Sequence, residues 1–165
     1  MTGDRRKTGL FIPSTNEYCE LPALPIGRYR HTVTNLTVCG GQPNGGQDVE
    51  DLESVSENCV TFNTETGQWD ISYTLDDVWW EHVAWRISSG ILLMGSGKTA
   101  LLLPDGTTKA GPFNLVRRAS FSCGIEDPKS GSIILTGGQS WINGKLTKVT
   151  SVERYNEEGF VENLP

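Results

Sequence analysis

Histidine is nearly missing from this sequence: there are two in 165 residues. That leaves too few imidazoles for a multi-histidine metal centre. The four cysteines have no CxxC spacing, which removes a zinc ribbon. Long apolar runs are missing too. The longest are Ile91-Leu92-Leu93-Met94 and Ala100-Leu101-Leu102-Leu103, far short of the ~20 residues that a membrane span needs, so no membrane partner is expected. Basic charge is in deficit, with a formal net charge of −6. Nucleic acid is therefore not an expected partner, since phosphate neutralisation needs a basic face. Residues 1 to 9 are polar and charged, so no signal peptide is expected at this end. No stretch has sustained helical periodicity.

What is abundant is glycine, at 19 residues, with 8 prolines. The length suits one domain, and the composition suits many short strands joined by tight turns. One text recurs. Leu36-Thr37-Val38-Cys39 runs into Gly40-Gly41, and Ile134-Leu135-Thr136 runs into Gly137-Gly138. A degraded copy, Leu92-Leu93-Met94, ends on Gly95-Ser96. A strand that repeatedly ends on glycine turns sharply there, or is approached too closely for a side chain.

Around each mark the same order of elements is expected. In the first unit these are His31 to Val33, a turn at Thr34-Asn35, Leu36 to Gly40, a long loop over 42–57 with a possible helical turn at 49–55, Cys59 to Phe62, a turn at Thr64 to Gly67, and Trp69 to Tyr73. In the second they are Glu81 to Ile87, Ile91 to Gly95, Thr99 to Leu103 and Thr108 to Leu115. In the third they are Ala119 to Ile125, Ser132 to Gly137, a loop from Gln139 to Thr147, Val152 to Tyr155, and Phe160 to Leu164. A leading pair, Gly9 to Ile12 and Tyr18 to Pro22, precedes them.

The marks recur at roughly 40 to 55 residues, bracketing the ~50-residue period of kelch arrays. Arg28-x-x-His31, Gly40-Gly41, Val60-Thr61-Phe62 and Trp69 after Gly67 in the first unit resemble the kelch family. So do Arg118, Gly137-Gly138 and Val152-Glu153-Arg154-Tyr155 in the third. The middle unit, with His82 and Gly95-Ser96, departs most. The resemblance covers residues 7–165 and implies an all-β, kelch-type β-propeller segment. It divides into an outer strand pair of a preceding blade over 7–24, a blade over 28–75, a divergent blade over 78–115 and a blade over 116–165. An arc of about three blades plus a strand pair is expected to belong to a larger ring, and its end blades to self-associate. The cysteine-bearing text, Cys19 to Pro25 and Cys39-Gly40-Gly41 with Cys59, looks like a secreted invertebrate subset, which favours an extracellular location over a cytoplasmic one.

From the residues alone, four free thiols and one or two disulfides both stay open. Cys39 ends one expected strand and Cys59 begins the next, so these two could face each other. Gly95-Ser96-Gly97-Lys98-Thr99 imitates the tail of a phosphate-binding loop. It has Leu92 where the motif needs glycine, however, and a strand-like run where it needs a helix. His31 and His82 read as structural residues beside the central channel, held apart by the blade spacing. Asn35 begins an Asn-x-Thr acceptor site, and asparagine also suits a tight turn.

In a meander the connections alternate between the two ends of each blade. One end collects the long connections, with Arg28, Arg30, Asp48, Glu50, Trp79, Trp80, Arg117, Arg118 and Trp141 as candidate partner-binding residues. The expected function is a non-catalytic scaffold that binds a protein partner through that face, with no cofactor. A secreted carbohydrate- or matrix-binding propeller is the alternative. A copper oxidase of kelch-like fold is a third reading, and it would need a Tyr/His ligand cluster that the spacing does not provide.

Overall fold

The structure is a computed structural model that describes residues 6–43, 57–79, 81–95, 98–111, 120–127, 129–156 and 159–164. Strands β1 (Thr8–Ile12) and β2 (Glu17–Leu21) form a hairpin. Strands β3 (Arg28–Tyr29) and β6 (Gln42–Pro43) form a short ribbon. The first four-stranded sheet is separate from it and is built from β4 (Thr32–Thr34), β5 (Thr37–Cys39), β7 (Asn58–Asn63) and β8 (Gln68–Thr74) in that order. The second sheet runs β9 (Val83–Ile87), β10 (Gly90–Gly95), β11 (Lys98–Leu102), β12 (Thr108–Ala110). The third runs β13 (Ser120–Glu126), β14 (Ile133–Ile142), β16 (Val152–Asn156), β17 (Gly159–Leu164), with β15 (Lys145–Lys148) on the far end of β14. Every pairing is antiparallel, and the strands within each four-stranded sheet follow one another in chain order, with β6 and β15 lying outside that order, so each of these sheets is a meander.

The order of elements matches the sequence expectation, and the local chemistry accounts for most boundaries. Two expectations are corrected. The first inner turn sits one residue later, at Asn35-Leu36, with Asn35 at φ 51°. The third-unit loop from Gln139 to Thr147 is not a loop. β14 continues past Gly137-Gly138 to Ile142 and folds back through Asn143-Gly144 into β15. Both turn residues have positive φ, 51° and 73°, which is the requirement of a type I′ hairpin turn. Of the weak strand expected over 108–115, Thr108–Ala110 is strand and residues 112–115 lie outside the described residues. The helical turn expected at 49–55 lies outside the described residues.

Alternation of side chains decides how the sheets stack. On β10, Ile91 and Leu93 join Ala100 and Leu102 in a cluster with Cys39, Cys59, Leu75 and Trp79 of the first sheet and its exit segment. Leu92 and Met94 point the other way, onto Ile133, Leu135 and Tyr155 of the third sheet. β10 is covered on both faces and buried throughout, which is why it reads as an unbroken apolar run. Burying one such side chain contributes about 1.5–3 kcal/mol. On the hairpin side of the first sheet the cover is thinner: Leu24, Val38 and Val60, with Trp69 against them.

Between β5 and β7, the Gly40 amide donates to the Asn58 carbonyl (2.9 Å) and the Phe62 amide to the Leu36 carbonyl (2.9 Å). These hydrogen-bonded pairs leave Cys39 opposite Cys59 in a non-hydrogen-bonded pair, where Cα atoms approach most closely. The two cysteines are disulfide-bonded, with Cα atoms 4.0 Å apart. Cys19 and Cys123 are free and exposed. The sequence had left this choice open.

Candidate functional site

The glycine pair marks the end of the sheets where the long connections gather, and its backbone is shaped by the next sheet. Gly40 and Gly41 have φ of 56° and 97°. A Cβ on Gly40 would stand 2.3 Å from the Trp79 carbonyl oxygen. The Gly41 amide donates to that same oxygen at 2.7 Å. The segment leading into the second sheet therefore lies directly on the glycines, and the contact admits no side chain. Gly137 has φ of 68° but open space around the same position.

Arg28 is buried, 3% exposed, which corrects its reading as a partner-binding residue. Its guanidinium donates through Nη1 to the carbonyls of Gly40 (3.0 Å) and Asn58 (3.4 Å), and through Nη2 to Asn58 Oδ1 (3.2 Å). It holds the Gly40 carbonyl where β5 leaves the sheet and adds a second donor to the Asn58 carbonyl, which already accepts from the Gly40 amide. Burial lowers its pKa to about 10. Arg30 is exposed as expected, with its Nε 3.0 Å from Glu81 Oε1, and the Glu81 amide donates to the Arg30 carbonyl at 2.9 Å. These two contacts tie the entry of the second sheet to that of the first. The Arg30 guanidinium also stands 5.7 Å from the centre of the Tyr29 ring.

Trp79 is also buried, 1% exposed, so its indole is a packing element rather than a surface anchor. Its ring meets His82 edge-on at 5.6 Å. Lys98 stands 4.8 Å from the ring centre and pairs with Asp77. The Lys98 hydrogen bond, together with the Val78 amide, holds the Asp77 carboxyl below its ordinary pKa.

His82 is 5% exposed, and neither ring nitrogen has a hydrogen-bond partner among the described residues. Burial, then the charges of His31 and Lys98, push its pKa down to about 4. His31 is lowered for the same first reason, with Arg28 adding to it. The two histidines, expected to be held apart by the blade spacing, lie close enough for His82 to feel the charge of His31. Among the described residues no group of three or more His, Cys, Asp or Glu side chains converges as a metal site.

Among the described residues, an exposed element at this end is one that sequence reasoning missed. The β14–β15 hairpin projects beyond the third sheet, with Ile142 50% and Leu146 47% exposed and Lys145 and Lys148 exposed beside them. Trp141 is placed on it, opposite Leu146 in register. The Asn143-Gly144 dipeptide between alternating residues was the available signal. Asp48, Glu50, Trp80, Arg117 and Arg118 lie outside the described residues. The structure brings Arg28, Arg30, His31, Trp79 and His82 together at the junction of the first two sheets.

No family model matches the chain, and no curated protein sequence matches it. Among solved structures 91 chains match. The structure of YjhT superposes with a TM-score of 0.70 at 12% sequence identity, over 90% of this chain and 55% of that one. The chain spans about half the length of that structure. Identity this low speaks to the fold alone, and the stack of antiparallel meander sheets is consistent with a β-propeller-like arrangement.

Proposed function

We propose that the chain is an arc of a kelch-type β-propeller, part of a larger ring, acting as a non-catalytic scaffold that binds a protein partner through its long-connection end. The observation that carries this reading is the projecting β14–β15 hairpin. Exposed Ile142 and Leu146 stand beside Lys145 and Lys148 on a finger that buries little against its own sheet. Such a finger has the apolar centre and charged margin of a protein interface. Arg30 and the ribbon of β3 and β6 extend the same end at the first sheet. The test is affinity capture on the wild-type chain and on the double variant Ile142→Asp, Leu146→Asp. A partner held by the wild type and lost by an equally stable variant supports the reading. Identical captures on both would sink it.

A second reading has its own observation. The Cys39–Cys59 disulfide favours an oxidising compartment, and so a secreted propeller that binds carbohydrate or matrix. Binding to a glycan array, retained by the hairpin variant, would move the assignment there.

A further inference from the structure

We propose that the short-turn end of the first sheet binds a small organic anion, a carboxylate carried on an apolar body. The site lies apart from the long-connection end and does not rest on the scaffold reading above. It is a cavity of about 590 Å³ lined by Leu10, Asn35, Leu36, Phe62, Thr64 and Arg86 among others, a volume within the range of small-molecule sites. A step in the first sheet forms it. The β4–β5 hairpin turns at Asn35-Leu36, where the Phe62 amide donates to the Leu36 carbonyl at 2.9 Å. β7 and β8 run on to the pair Asn63 and Gln68 and turn only at 64–67. The outer hairpin therefore overhangs the inner one, and Leu10 of β1 and Arg86 of β9 border the step.

Arg86 sets the charge of the ligand. It pairs with Ile91 across β9 and β10, and residues paired in this way share a face. Ile91 packs against the first sheet, as does Ala84, two residues before Arg86. Arg86 thus stands on the core-facing side of β9, in line with apolar neighbours, yet it is exposed into the cavity. Among the described residues it is the one charged group in the lining, and it has no hydrogen bond or ion pair. Arg28 and Arg30, by contrast, are held by protein groups. The side chains of Asn35 and Thr64 also have no hydrogen bond among the described residues. The hydroxyls of Thr37 and Thr61, which line the cavity as well, are bonded to each other at 2.9 Å. The guanidinium can donate two parallel hydrogen bonds to a carboxylate. Leu10, Leu36 and Phe62 then need a hydrocarbon or aromatic body to cover them. An inorganic anion would leave these three wet, and a neutral apolar molecule would leave the guanidinium unpaired.

The probe is octanoate, added to the full chain, with 1-octanol as its uncharged match. The expected result is one saturable octanoate site by calorimetric titration, tighter than 1-octanol and weakened by salt. Amide shifts in nitrogen-15 spectra should fall on Leu36, Thr64 and Arg86. Arg86→Gln, at an exposed position, is expected to weaken octanoate about tenfold and to leave 1-octanol unchanged. Leu10→Ser, at a position 41% exposed, weakens both ligands alike. Lys109→Gln, exposed on β12, changes neither. The comparison of the two ligands on the wild type stands without any variant. No saturable binding, equal binding of octanoate and 1-octanol, or shifts that fall on β14 and β15 instead would overturn the site. So would an Arg86→Gln protein that holds octanoate as tightly as the wild type does.

Discussion

Acidification should weaken this fold through His82 well before its carboxylates respond. The imidazole is 5% exposed and hemmed in by Trp79, Lys98, His31 and the backbone at Gly40 and Gly95. Its pKa falls from 6.5 to about 4 on folding. A base whose folded pKa is depressed is neutral in the native state and takes up a proton more readily when unfolded. The stability it contributes is complete above pH 6.5 and is lost as pH falls towards 4. With one pKa unit worth about 1.4 kcal/mol, the loss from this residue is about 2 kcal/mol at pH 5 and about 3 kcal/mol below pH 4. His31 shifts in the same direction and adds to it. Asp77, Asp105 and Asp127, all held below 3.8, act at lower pH. Urea unfolding at pH 7.5, 6 and 5 should give a falling midpoint for the wild type and a flatter series for His82→Gln. Parallel curves for the two proteins, or a His82 proton resonance that titrates near 6.5, would refute the argument.

Three further outcomes follow from the packing. Gly40→Ala combines a left-handed backbone with a Cβ 2.3 Å from a carbonyl oxygen and should cost about 3 kcal/mol or more. Gly137→Ala, at a similar φ in open space, should cost about 1 kcal/mol; equal losses in thermal melts would count against the inter-sheet contact. Under non-reducing denaturation a thiol reagent should find only Cys19 and Cys123, and Cys39→Ser with Cys59→Ser should cost about 3 kcal/mol for a loop of this length. Ile142→Asp with Leu146→Asp, at half-exposed positions, should leave the unfolding free energy from urea titration within about 0.5 kcal/mol of wild type.

The sequence by itself determined the order of the main strands, the repeat and most of the turns, because these depend on local chemistry; the Asn143-Gly144 hairpin was missed and the first inner turn lay one residue later than expected. Glycine and asparagine supply positive φ at Asn35, Gly40 and Gly67, and the unbroken apolar run of β10 marked a strand, though not which sheets cover its two faces. The placement of Cys39 opposite Cys59 was half legible, since adjacent strands could be inferred but register could not. Tertiary structure alone decided the character of the long-connection end. Arg28 and Trp79 look like surface anchors in the text. They are buried because the second sheet closes over the end of the first, and a side chain's exposure depends on the neighbour that packs on it. The same holds for His82, whose ordinary chemistry is changed only by the indole and the glycine backbone against it. It holds also for Val33, a typical core residue by type, which is 56% exposed among the described residues.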